Sequence, residues 1–344
     1  MDYLYDYLVF LAQAVTVVVA VLVIVSGIAA AGMRMQSTER GHLEVTKLND
    51  RLNSLKRSIQ EALLDASSFK KERKQEAKAA KRDAKASKAE KADPGGKRRV
   101  FVLDFHGDLQ ATRVKDLSTE VTALLTLARA EDEVVVRVES PGGLVHGYGL
   151  AASQLDRIKQ HGIPLVVAVD KVAASGGYLM AAVADKVVAA PFAVMGSIGV
   201  VAQIPNVHRL LKKHDVDVEV LTAGKYKRTL TVLGENTEEG RQKFVEELED
   251  VHALFQEFVS DHRPQVDIEA VATGETWYGQ RAIDLKLIDE ISTSDEYLSK
   301  ACESADVYSV HWVEHKKPLD RIMARVESSA QRLIERVLNW GGAP

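Results

Sequence analysis

The stretch LVVAVDKVAASGGYLMAAVADKVVA, residues 165–189, decides the fold. It begins with a short β-branched run, 165–169, and passes through a small-residue loop. A helical pattern follows from 174 to 184, and a second β-branched run from 186 to 189. Strand, helix and strand in so short a span have the spacing of a crossover between parallel strands, because parallel neighbours need a helical connection.

Working outward, further strand-like runs lie at 100–105, 133–138 and 216–221. Helical patterns fill the intervals 116–130, 147–161 and 207–214. The expected class is therefore α/β, with mostly parallel strands and flanking helices. After Asn236 the segment 237–262 opens on acidic residues and sets Phe244, Leu248, Val251, Phe255 and Phe258 on one stripe, as a long amphipathic helix does. The tail 319–338 repeats the pattern with Ile322, Val326, Leu333 and Val337. Such a helix docks on its own domain or on a neighbouring subunit.

Upstream of residue 100 the character differs. From Tyr7 to Met33 no side chain is charged, and the run 8–31 is long enough at 1.5 Å per residue to cross about 30 Å of hydrocarbon. A cleaved signal peptide is the rival reading, with Ala29 and Ala31 at a cleavage site, but the leading residues carry Asp2 and Asp6 and no Lys or Arg. The expectation is an uncleaved single-pass anchor, with Tyr3, Tyr5 and Tyr7 at the interface. Beyond it Leu48, Leu52, Leu55, Ile59 and Leu63 keep one helical face. Residues 70–93 are Lys, Ala and Glu with almost nothing to bury. The expected division is an anchor at 1–36, a juxtamembrane helix and Lys/Ala-rich linker at 37–98, an α/β domain at 99–300, and a C-terminal extension at 301–344 with an amphipathic helix.

The net charge of −4 averages unlike parts, since residues 70–99 hold 13 basic side chains against 5 acidic ones. Beside an apolar run, such a basic stretch suits lipid headgroups or a plain tether, and no nucleic-acid partner is expected. One cysteine, Cys302, excludes an internal disulfide and any CxxC metal pattern. No metal or cofactor is expected.

Three strand-end loops carry the chemistry, because ligands of open α/β sheets gather at the carboxyl ends of strands. Ser140-Pro-Gly-Gly143 offers unobstructed backbone N–H groups to a developing oxyanion, and also reads as a common turn. Ala173-Ala-Ser-Gly-Gly-Tyr178 puts Ser175 at a helix start, either as an N-cap or as a nucleophile with a free Gly176 N–H behind it. Gly224-Lys-Tyr-Lys-Arg228 is in most settings a solvated run. A lysine acts as a base only as the neutral amine, which for an ordinary lysine means a fall of about three pKa units. His106 and His146 stand near the first two loops as rival bases.

Taken together, SPGG, ASGGY (174–178), PFAVMGSIGV (191–200), GKYKRTLT (224–231), GENTEEGR (234–241) and TGETWYGQRAIDLKLIDEI (273–291) resemble the signal peptide peptidase A (protease IV) family, in its single-domain, membrane-anchored SohB branch. The resemblance runs from about 99 to 291 and implies a crotonase/Clp-peptidase-like α/β fold with a Ser-Lys dyad. It implies Ser175 as nucleophile, Lys227 as base, Ser197 as hydrogen-bond partner of the lysine amine, and Gly143 with Gly176 as oxyanion hole. It also implies a polypeptide substrate, a homo-oligomer and a bacterial inner-membrane location. A Clp-type Ser-His-Asp peptidase would need a histidine about 25 residues after the serine, where this chain has Gly196-Ser-Ile-Gly-Val200. An acyl-CoA hydratase would not need ASGGY with a distant lysine, and a tethered scaffold without activity would not need all these residues. The side of the membrane stays open: Arg34, Arg40, Lys47 and Arg51 favour a cytoplasmic domain, and the family resemblance favours the exported side.

Overall fold

The computed structural model describes residues 41–65 and 97–314, with Lys74 and Lys78 besides. The expected anchor, most of the Lys/Ala-rich stretch and the tail helix at 319–338 lie outside the described residues. Contacts divide the chain into a unit Leu43–Trp312 and a second one, Met1–His42 with Val313–Pro344. The core and the helices belong to the first unit.

In chain order the strands are β1 Gly41–Lys47, β2 Arg99–His106, β3 Glu133–Glu139, β4 Leu165–Val169, β5 Val172–Ala174, β6 Lys186–Ala189, β7 Val194–Gly196, β8 Thr276–Tyr278, β9 Glu290–Ile291 and β10 Asp306–Glu314. The helices are α1 Leu48–Leu63, α2 Val114–Leu125, α3 Val145–Gln160, α4 Gly176–Ala182, α5 His208–Lys213, α6 Glu238–His262, α7 Ile268–Val271, α8 Gly279–Ala282 and α9 Ser294–Ser304.

Seven strands form the main sheet in the order β1-β10-β2-β3-β4-β6-β9, and every pairing from β10 to β9 is parallel. Its strands are valine-rich without polar alternation because both faces are covered. One face sends Leu103, Phe105, Val134, Val136 and Val167 against Leu117 and Val121 of α2, Leu155 and Ile158 of α3, and α4. Alternate residues Val100, Val102, Val135, Val166 and Ala168 meet Leu298 of α9, with Leu48 of α1 packed alongside. This is the period of 2 that a pleated strand imposes. Each such side chain, fully buried, contributes about 1.5–3 kcal/mol.

The α/β class with a parallel sheet is as expected. The element map departs from expectation in several places, first at 301–344, where the expected C-terminal extension contributes β10 to the main sheet beside β2. The expected juxtamembrane helix is present as α1, but the residues before it form β1, which joins the main sheet beside β10, and Asn49 adds a further bracket. The Asn49 amide donates to the carbonyls of Cys302 and Ala305, and its Oδ1 accepts from the Val307 N–H at 2.8 Å. The helical spacing of the leucines was legible, but this tertiary bracket was not. Residues 216–221 are not a strand, because no described strand lies beside them to pair with, and Leu221 is 89% exposed. They belong to a long, mostly exposed arm between β7 and α6.

The second sheet, β5-β7-β8, holds the site in place. β5 pairs with β7 in parallel, with Ala174 beside Gly196, so the next residue of each strand, Ser175 and Ser197, leaves the sheet at the same level. A bridge between Ser140 and Ala173 ties this sheet to the end of β3.

Candidate active site

Ser175 stands between β5 and α4 with φ 51° and ψ −121°, a conformation that costs a residue with a Cβ about 1–3 kcal/mol. It is held there from both sides. Its N–H donates to the Gly196 carbonyl at 2.8 Å, and its own carbonyl accepts from the Leu179 N–H at 2.9 Å. Its side chain makes no capping hydrogen bond to α4. The N-cap reading is thereby set aside: the hydroxyl is not spent on the helix and remains half-exposed.

The Ser140–Gly143 loop packs directly on this turn. Gly142 has φ 91°, and a methyl group there would come within 2.7 Å of the Ser175 Cβ and 2.8 Å of the Gly176 nitrogen. Only glycine allows that approach. Gly143 is pressed against the Leu109 carbonyl, where a Cβ would lie 2.2 Å from the oxygen. Among the described residues neither the Gly143 nor the Gly176 N–H has an acceptor in the chain, as befits a loop glycine and the first residue of a helix. Both stay available to an oxygen that gains negative charge.

Ser197 carries a second strained backbone, φ 53°, fixed by its N–H on the Glu275 carbonyl at 2.6 Å, next to Gly196 at φ 89° packed on the Trp277 ring. The two serines thus stand side by side on adjacent strands.

Lys227 is exposed and makes no contact with them by hydrogen bond. It sits in a turn closed by its own N–H on the Gly224 carbonyl at 3.1 Å, on the exposed arm. Lys225 is engaged elsewhere: its Nζ lies 2.7 Å from Glu239 Oε1 and over the Tyr226 ring. The Glu239 carboxylate holds its ammonium charged, raising its pKa. His106 faces Glu139 at 3.8 Å and His146 is exposed on the first turn of α3; neither is hydrogen-bonded to Ser175.

Sequence reasoning missed Ser140 and Tyr148, both fully buried behind the glycine loop. The Gly142 N–H donates to Ser140 Oγ at 3.1 Å, Ser140 Oγ meets the Tyr148 hydroxyl, and that hydroxyl donates to the Asp108 carbonyl at 2.8 Å. Serine in a Pro-Gly-Gly turn and tyrosine inside a helix carry no sequence signal for such a chain.

Among known proteins, residues 2–155 match the model of the peptidase family S49 N-terminal region, and residues 157–308 that of peptidase family S49. A probable protease SohB of Haemophilus influenzae is 50% identical over 344 residues, covering 97% of this chain and 96% of its own. A putative protease SohB of Buchnera aphidicola subsp. Baizongia pistaciae is 39% identical, covering 98% and 99%. The solved 1510-N membrane-bound stomatin-specific protease aligns with 12% identity over 67% of this chain and 98% of its own, at a TM-score of 0.41. By its length-spanning identity to the two SohB proteases and its match to the family models the chain belongs to peptidase family S49, in the SohB branch, and is a protease.

Proposed function

We propose that the chain is a membrane-anchored serine endopeptidase that uses Ser175 as nucleophile and Lys227 as general base within a homo-oligomer. The observation that carries this is Ser175 itself: a hydroxyl in a strained strand-to-helix turn, uncapped, flanked by two glycine loops with free N–H groups. Strain of this kind persists only where the surroundings enforce it, and a capping serine has no use for it.

In the proposed reaction the neutral Lys227 amine takes the Ser175 hydroxyl proton as Oγ attacks the substrate carbonyl. The oxyanion is received by the Gly143 and Gly176 N–H groups, and Ser197 Oγ orients the amine. Collapse of the tetrahedral adduct breaks the C–N bond, the leaving amine takes the proton back from Lys227, and water then hydrolyses the acyl-enzyme by the same route. Lys225 is a poor rival because Glu239 keeps it charged. Assembly orders the exposed arm so that Lys227 reaches Ser175. Substrates are extended polypeptides, remnant signal peptides and unfolded envelope proteins among them. The apolar run 8–31 anchors the chain in the bacterial inner membrane.

The test is peptide hydrolysis by Ser175→Ala, Lys227→Ala and Lys225→Ala. The first two should each lose activity by about a thousandfold or more, with no further loss in the double variant, since they act in one proton transfer. Lys225→Ala should retain most of it. Activity surviving in Lys227→Ala and lost in Lys225→Ala or His146→Ala would discard the dyad.

A further inference from the structure

We infer that Tyr148 and Ser140 are positioning residues that lock the two halves of the oxyanion site into one rigid unit, Tyr148 from beneath α4 and Ser140 from beneath the glycine loop. The inference rests on the reading of Ser175 as nucleophile with Gly143 and Gly176 as oxyanion donors.

The hydrogen bonds have only one consistent direction. The Tyr148 hydroxyl donates its proton to the Asp108 carbonyl, so it accepts from Ser140 Oγ–H, and Ser140 Oγ in turn accepts from the Gly142 N–H. Each bond in such a line polarises the next, and the chain holds the Pro141–Gly142 peptide unit, one before the unit that carries the Gly143 N–H. Ser140 is also clamped through its backbone. Its N–H donates to the Val172 carbonyl at 2.8 Å and its carbonyl accepts from the Ala174 N–H at 3.0 Å, so it grips the strand that delivers Ser175.

The Tyr148 ring supplies the other half. It lies so close under Gly176 that a methyl group at that glycine would fall 2.3 Å from the ring's Cγ. Gly177 abuts the Ser140 carbonyl, where a Cβ would be 2.5 Å from the oxygen. Gly107 clears space for both hydroxyls, since a methyl group there would sit 2.3 Å from Ser140 Oγ and 2.4 Å from the Tyr148 oxygen. Phe105 packs edge-on against the ring at 6.2 Å and fixes its orientation. One side chain therefore sets the height of the Gly176 N–H with its ring and the placement of the Gly142–Gly143 turn with its hydroxyl. Neither touches substrate. Their value lies in fixing two donors relative to one oxygen, where a displacement of about 1 Å costs as much as a hundredfold in rate.

The experiment measures kcat and KM for a peptide, together with the rate of labelling by a fluorophosphonate, in the full-length Tyr148→Phe, Ser140→Ala and double variants. The probe forms an Oγ–P bond as fluoride leaves, and its phosphoryl oxygen occupies the oxyanion position. Tyr148→Phe keeps the ring and breaks the chain, so kcat and the labelling rate should fall about tenfold or more while KM stays within about threefold. Ser140→Ala should do the same, and the double variant should be little worse than either alone. A purely structural role would lower the unfolding temperature and leave the kcat and labelling rate of the folded enzyme within about twofold, and that result overturns the inference. Should Tyr148→Phe fold poorly, Ser140→Ala carries the same test, because it removes the same link with a smaller side chain. Ser175→Ala separates the two layers: if it still hydrolyses peptide, the underlying assignment has failed, whereas an inert Ser175→Ala beside a fully active Tyr148→Phe refutes the positioning role alone.

Discussion

At the scale of single residues, the backbone of Ser175 sets function against stability. With φ 51° and ψ −121° the position suits glycine, and any side chain there carries strain. Ser175→Ala and Ser175→Gly should both be inactive, but they should not be equally stable. The alanine variant keeps the Cβ and its strain, and the glycine variant sheds them, so thermal unfolding should find Ser175→Gly more stable than Ser175→Ala by about 1 kcal/mol. Equal stability would mean that the turn is relaxed and that the strain argument for a nucleophile is void. The residue scale also shows how far a sequence can be read. Ser175 and the glycines around it were legible because small residues at a strand end point to backbone approach. Ser140 and Tyr148 were not, because a hydroxyl's partners 8 and 40 residues away along the chain are set by packing. The proposed role of Lys227 rests on family resemblance alone: a lysine in an exposed turn has no physical mark of a base.

At the scale of elements, α2 and β10 are joined by a buried acid. Glu120 on α2 is fully buried, its Oε1 accepts the Trp312 N–H at 2.7 Å, and its Oε2 has no partner. Burial pushes its carboxyl up to about 7 from 4.5, against the opposing pull of the Trp312 N–H and of Arg113 at 3.8 Å; Asp116 on the same helix and Asp104 on β2 add to the rise. The folded state therefore holds a proton that the unfolded chain releases above pH 4.5. Stability from this group is fully present below that value, declines as pH rises toward about 7, and is lower by on the order of 3 kcal/mol above it. Glu120→Gln should remove the decline, leaving a variant more stable than the parent at pH 8 and little different at pH 4.5. Urea unfolding at the two pH values checks it, and an unchanged slope with pH in the variant would assign the effect elsewhere. The parallel sheet was readable from its valine runs, since covered strands need no polar alternation. The residues 216–221 misled for a related reason. Their β-branched pattern is that of a strand, yet a strand exists only with a partner, and no described strand of the same chain supplies one.

At the scale of the whole molecule, that unpaired arm argues for assembly. Between β7 and α6 it exposes Val201 (91%) and Leu221 (89%), together with Leu210, Val216, Val220 and Val232. The first half of the α6 stripe, Phe244, Leu248 and Val251, is only half-buried, and the stripe packs on the core only near Phe255, Phe258 and Val259. Isolated surface leucines are ordinary, but a run of them on one arm that also carries the proposed base marks an interaction surface. If copies of the chain bury this arm against one another, one substitution at its most exposed leucine should undo both the assembly and the activity. Leu221→Glu places a charge where an apolar contact is expected and touches nothing in the core, so the protomer's own melting should be unaffected. The detergent-solubilised full-length protein should have the mass of a multimer by light scattering, and Leu221→Glu should be smaller and at least about tenfold less active on peptides. Enclosure by neighbours would also restrict entry, so the parent should cut short peptides and unfolded chains much faster than a folded protein. A parent that is monomeric and fully active would show that the site is complete without a neighbour, and a Leu221→Glu variant that keeps both its mass and its rate would show that this part of the arm is not the subunit contact.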